Sequence, residues 1–149
     1  MLSRLTLKVW HDRPRLSPVF WFCTVFVYFV AALAISTLLS PAVDEVLLRQ
    51  NAPEIIAIKL NYIRLPAICV GLVVFPFLLW QSRRYALNFI GFFTAGAAVM
   101  YIDDHLVLYE IIQYPELPII QLTLFMQPLA IMALAWMTFE LHFRSKNGY

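Results

Sequence analysis

The residues with most capacity for chemistry fall in one stretch: Tyr101, Asp103, Asp104, His105, Tyr109 and Glu110. On a continued helix, Tyr101, His105 and Tyr109 align at i, i+4 and i+8, and Asp103 and Glu110 align at i, i+7 on another face. Asp-Asp-His offers hard carboxylate oxygens beside a borderline imidazole, a donor set that could take a metal ion. The same group could relay protons, because His titrates near neutrality and an adjacent acid raises its pKa. Geometry argues against one shared ion, since consecutive helical residues point about 100° apart. The plainer expectation is a solvated cap whose acids pair with Arg49, Lys59 or Arg64. No metal site and no cofactor is expected. A bis-His haem is disfavoured because His11 and His142 fall on one predicted side of a membrane and His105 on the other. No G-x-S-x-G, H-E-x-x-H or phosphate-cradling Gly loop occurs.

The elements that must hold these residues are membrane helices. The chain is 62% hydrophobic and only 13% charged, with a mean hydropathy of +0.75. A soluble domain of this length has too much surface to cover with so few charges. A net charge of +2 without a basic cluster excludes a nucleic-acid footprint. Cys23 and Cys69 lie inside apolar segments and read as packing residues.

Four spans are predicted, at about 18–39, 62–80, 85–102 and 118–141, with loops at 40–61 and 103–117. The first is about 33 Å long as a helix, enough to cross a hydrocarbon core of about 30 Å. A cleaved signal peptide is the competing reading there, and the length of the apolar run argues against it. Pro14 and Pro18 separate this span from a basic arm in which Leu2, Leu5, Val9 and Trp10 suit a surface-lying turn or two. The span is rich in aromatics: Phe20, Trp21, Phe22, Phe26, Tyr28 and Phe29 suit lipid or a partner helix.

In the 40–61 loop, Val46, Leu47, Ile55, Ile56 and Ile58 could rest on the bilayer or pack across the end of the bundle. Arg64, near the outer end of the second span, is expected to snorkel or to pair with an acid. Pro76 has no amide hydrogen, so the Leu72 carbonyl loses its helical donor and a modest kink is expected. Gly91, Ala95 and Ala98 form a small-residue stripe on the third span that lets a neighbouring backbone approach. The second span is its expected neighbour, with a homo-oligomer contact as the alternative. In the fourth span Thr123 and Gln127 share a face, and Pro128 frees the Leu124 carbonyl. Glu140, His142, Arg144 and Lys146 read as a charged tail at the inner interface.

Eight of the eleven Lys and Arg residues fall on the side of the termini and of the Gln81–Arg84 turn. The positive-inside rule then places both termini in the cytoplasm. Seven of the nine acids lie on the far side. Trp21, Trp80 and Trp136 fall near the inner ends of spans, as an aromatic belt requires. The expected fold is all-α: an antiparallel four-helix transmembrane bundle forming one domain, 1–149. Its plan resembles that of many small bacterial inner-membrane proteins, a topological likeness that carries no site. The expected function is a non-catalytic accessory subunit or assembly factor in the bilayer, bound to another integral membrane protein or to copies of itself. A small homo-oligomeric transporter or channel is the alternative, and a redox or quinone-associated subunit the second alternative.

Overall fold

A computed structural model describes residues 16–49, 52–102, 104 and 114–146. Among these residues the chain forms five helices: α1 (Pro18–Leu38), α2 (Pro41–Leu48), α3 (Ala52–Gln81), α4 (Arg83–Ile102) and α5 (Pro118–Lys146). All but α2 are long and apolar enough to cross a membrane. The basic arm expected before Pro14 lies outside the described residues.

The same local device starts α1 and α2. Ser17 precedes Pro18 in extended conformation, and its Oγ accepts the Phe20 amide at 3.1 Å. Ser40 precedes Pro41 in the same way and accepts the Ala42 amide at 3.4 Å. A serine cap satisfies one of the orphan amides, and proline at the first helical position supplies a fixed φ where its missing N–H costs nothing. Ser40-Pro41 therefore ends the first span and also begins a helix. Asp44 in the first turn of α2 suits the positive end of its dipole.

α3 differs from the expected second span. It begins at Ala52, ten residues before Tyr62, and runs for 30 residues with Pro66 and Pro76 inside. That is about 45 Å of helix, longer than the roughly 30 Å core. The segment expected to be a loop at 40–61 is thus largely helical, as α2 and the first turns of α3. Pro53 in the first turn explains the early start, since a proline is tolerated there and not deeper without cost. Val43, Val46 and Ile58 bury against one another with Leu47 and Leu117 alongside. Of the two placements open to this loop, packing across the bundle end is the one taken by Val46, Leu47 and Ile58.

The defect left by Pro76 is repaired from another helix. The Tyr28 hydroxyl of α1 donates to the Leu72 carbonyl at 2.5 Å, the acceptor that proline at position 76 leaves without a donor.

α5 packs along both α1 and α4, and α4 packs along α3. The main core gathers Phe20, Phe75, Ala86, Ile90, Leu134, Met137 and Leu141 at the end of the molecule that carries the Gln81–Arg83 turn. We call this the turn end and the opposite end, which carries Asp104, the loop end. Along α1 and α5 the cross-helix contacts are Ser17 with Glu140, Thr24 with Met137, and Thr37 with Thr123.

The small-residue expectation needs correction. A Cβ on Gly91 would point at the Thr138 methyl of α5, 3.6 Å away, so this glycine faces α5 and not the second span. Ala95 is exposed and Ala98 half-buried. The close approach between α3 and α4 uses Gly71, over which the Phe93 ring lies 2.6 Å from where a Cβ would be. A ring on one helix fills the gap left by a glycine on the other, and sequence spacing alone does not pair them.

Candidate functional site

Arg64 is 17 residues from Gln81, about 26 Å along the helix axis. A guanidinium on an apolar helix, with its side chain only 13% exposed, needs a partner. It finds Asp104: Arg64 Nη1 donates to Asp104 Oδ2 at 2.5 Å. The expected pairing of Arg64 with an acid is therefore present. The expected solvation is not, because Asp104 is only 2% exposed.

Two further groups complete this cluster. Asn61, one turn before Arg64, donates its amide to the Ala57 carbonyl at 2.9 Å. Tyr114, between Asp104 and α5, has its phenol pKa pushed up to about 12. Burial is the main cause, and the adjacent Asp104 carboxylate adds to it by its charge and by accepting a hydrogen bond from the phenol; hydrogen bonding from Asn61 and the Arg64 charge pull the other way. The cluster thus joins α3, the residue just past α4 and the segment leading into α5. Among the described residues, Asp104 is buried beside Tyr114 and helps hold its phenol in the neutral form.

Of the residues singled out from sequence, Tyr101 is half-buried at the end of α4 and Asp104 is the buried partner of Arg64. Asp103, His105, Tyr109 and Glu110 lie outside the described residues. Among the described residues no three of His, Cys, Asp and Glu gather where they could hold a metal ion. Arg49 and Lys59, the other cations considered as partners, are exposed.

The threonines of the spans are used internally. Thr123 donates to the Ile119 carbonyl and meets Thr37 of α1 at 3.3 Å. Thr94 and Thr138 form the same arrangement between α4 and α5, at 3.1 Å, and each also lies in reach of its own i−4 carbonyl, so that each single proton goes either back to the helix or across the seam. A threonine that bonds back to the i−4 carbonyl gives up no backbone partner and can still meet another hydroxyl across the seam. Gln127, expected beside Thr123, is half-buried.

A second buried carboxylate sits at the turn end. Glu140 is 7% exposed. The Ser17 amide donates to its Oε1 at 2.7 Å and the Ser17 hydroxyl to its Oε2 at 2.5 Å. Arg144, one turn later, donates Nε to Oε1 at 2.9 Å. Glu140 was expected in a charged tail, and it is instead the tie between the two ends of the described chain. Two signals bear on it in the sequence: the Ser-Pro helix start and the i, i+4 spacing of Glu140 and Arg144.

No family model matches the chain, and the searches of curated proteins and of solved structures found no similar protein.

Proposed function

We propose that this is a non-catalytic integral membrane protein that binds another membrane protein, as an accessory subunit or assembly factor. In this reading its four long helices form an antiparallel bundle in a bacterial inner membrane, with both termini cytoplasmic. The observation that carries it is the character of the outer surface. Between 11% and 17% of each apolar span is fully buried, so much of each helix stays partly or wholly exposed. That outward surface is unusually aromatic. Trp21, Phe22 and Phe29 stand out from α1, and Phe125, Trp136, Phe139 and Phe143 from α5. Trp136, Phe139 and Phe143 form a continuous ring ladder. Aromatic side chains are enriched at protein interfaces, where they bury large area at little conformational cost.

The internal pairing of Thr37 with Thr123 and of Thr94 with Thr138 points the same way, because those hydroxyls do not line a free polar stripe. The cytoplasmic placement of both termini is supported by the bias of Lys and Arg. It is also supported by the gathering of Ser17, the α3–α4 turn and Glu140 at one end.

Native mass spectrometry of the chain, extracted in mild detergent at natural expression level, tests the proposal. The expected result is a stoichiometric complex with a different membrane protein. A pure homo-oligomer would overturn it in favour of a small transporter or channel. A monomer carrying the mass of a metal, haem or quinone would favour the redox reading.

A further inference from the structure

The two ends of the molecule differ in kind. At the turn end every one of the four long helices carries an exposed ring: Trp21 on α1, Trp80 on α3, Tyr85 on α4 and Phe143 on α5. Arg83 and Arg84 open α4 between Trp80 and Tyr85, and Arg84 is exposed. At the loop end the helices finish on exposed aliphatic side chains, Leu39 after α1 and Ile102 on α4. Asp44, Glu45 and Glu116 are exposed there.

Charge follows the same division. The segments joined to the turn end hold eight Lys or Arg and two acids, against three and seven for those at the other end. Two acids cannot neutralise eight cations, however they pair, and Glu140, one of the two, is already held by Ser17 and Arg144. The turn end therefore presents a positive excess to whatever surrounds it.

The local geometry says what chemistry meets that excess. Ser82 alone separates Gln81 at the end of α3 from Arg83 at the start of α4, so the arginines begin where the helices end and are not raised on a loop. α4 has 20 residues, about 30 Å of helix, which matches the hydrocarbon core of a bilayer. With α4 across a bilayer, Arg83 and Arg84 lie at the level of the lipid phosphates, and indole and phenol rings favour that same level. Guanidinium pairs well with phosphate oxygens, and the flanking Trp80 and Tyr85 rings suit the glycerol and upper acyl region beneath them. We propose that the rim of the turn end around Arg84 binds anionic phospholipid headgroups in preference to zwitterionic ones. This rests on the bilayer placement of the four helices and is independent of the accessory-subunit reading.

Native mass spectrometry of the full chain, titrated in detergent with phosphatidylglycerol or with phosphatidylcholine of the same acyl chains, tests it. Wild type is expected to retain phosphatidylglycerol in preference. Arg84→Gln, at an exposed position, should weaken that preference about fivefold, and Arg83→Gln with Arg84→Gln about 25-fold. Arg83→Lys with Arg84→Lys should keep it, and Arg49→Gln, at an exposed arginine of the loop end, should leave it unchanged. Equal retention of the two lipids by wild type would overturn the proposal. So would an undiminished preference in Arg84→Gln, or an equal loss in Arg49→Gln. If the glutamine variants instead shed a bound protein while the lipid preference stayed intact, the arginines would belong to a protein interface and the lipid assignment would fall.

Discussion

Glu140 at the turn end and Asp104 at the loop end are both buried carboxylates with an arginine beside them, and they are built differently. Glu140 receives three donors over its two oxygens, two of them from Ser17 at the start of another helix. Its arginine is a neighbour on the same helix, one turn away. Asp104 takes its arginine from a different helix and has the Tyr114 phenol beside it. The difference teaches what each group does. Glu140 behaves as a lock: the Ser17 hydroxyl caps α1 by accepting the Phe20 amide and donates its own proton onward to the carboxylate. Asp104 behaves as a latch, held through its charge pair with Arg64.

The largest effect is expected from Arg64→Ala, which strands the Asp104 charge. Breaking one partner of a buried pair costs about 3–5 kcal/mol, read as lost resistance to unfolding in lipid or detergent. The double replacement Arg64→Met with Asp104→Leu should recover most of that loss, because apolar groups of similar volume remove the desolvation problem. A double variant no better than the single one would erase the distinction between latch and lock. Next comes Glu140→Ala, which removes three hydrogen bonds to a charged acceptor and should cost roughly 2–3 kcal/mol, with the contact between the start of α1 and the end of α5 loosened. Hydrogen exchange at Phe20 would show it, since its amide depends on a Ser17 that Glu140 holds. Ser17→Ala is smaller, about 1 kcal/mol for the lost cap, and should act on the same amide. If Ser17→Ala exceeded Glu140→Ala, the carboxylate would be secondary to the cap.

The remaining effect is silent at neutral pH, emerges only in alkali and belongs to the loop end. The Tyr114 phenol is raised from 10.0 to about 12 in the folded protein, so folding favours its neutral form. Its contribution is fully present below pH 10, the unfolded value, and is lost as pH rises through about 12. Tyr114→Phe should flatten the fall in stability over that window. Absorbance titration of the phenolates should show one tyrosine fewer ionising late in the variant.

Much of the fold was legible because membrane insertion reads simple quantities. Length, apolarity and the absence of charge identify four spans without any tertiary information. The helix start at Pro18 was expected; the one at Pro41, inside a segment expected to be a loop, was not, although a Ser-Pro dipeptide precedes both. The early start of α3 was missed because Glu54, Lys59 and Asn61 lower the hydropathy of its first turns, and hydropathy marks what sits in hydrocarbon, not where a helix ends. The candidate cluster was legible in part. Arg64 announced a need for an acid, and Asp104 was among those named. Its burial was not foreseeable, because acids beyond a span are ordinarily solvated. Tyr114 and Asn61 lie 53 residues apart in sequence, and no periodicity links them.

The sequence by itself determined which segments are long and apolar enough to cross a membrane, how Lys and Arg are shared among the segments between them, and which carbonyls proline leaves bare. These are local properties, set by transfer free energy and backbone covalent chemistry. Tertiary structure decided which helix answers each local need. Tyr28 of α1 serves Leu72, Phe93 fills the space above Gly71, Gly91 turns to Thr138, and Ser17 closes on Glu140. In lipid the hydrophobic effect does not choose between helix faces, because the tails are as apolar as the side chains. The choice falls to steric fit and to the few polar groups that must find one another, and both depend on rotations and offsets that exist only once the helices are packed.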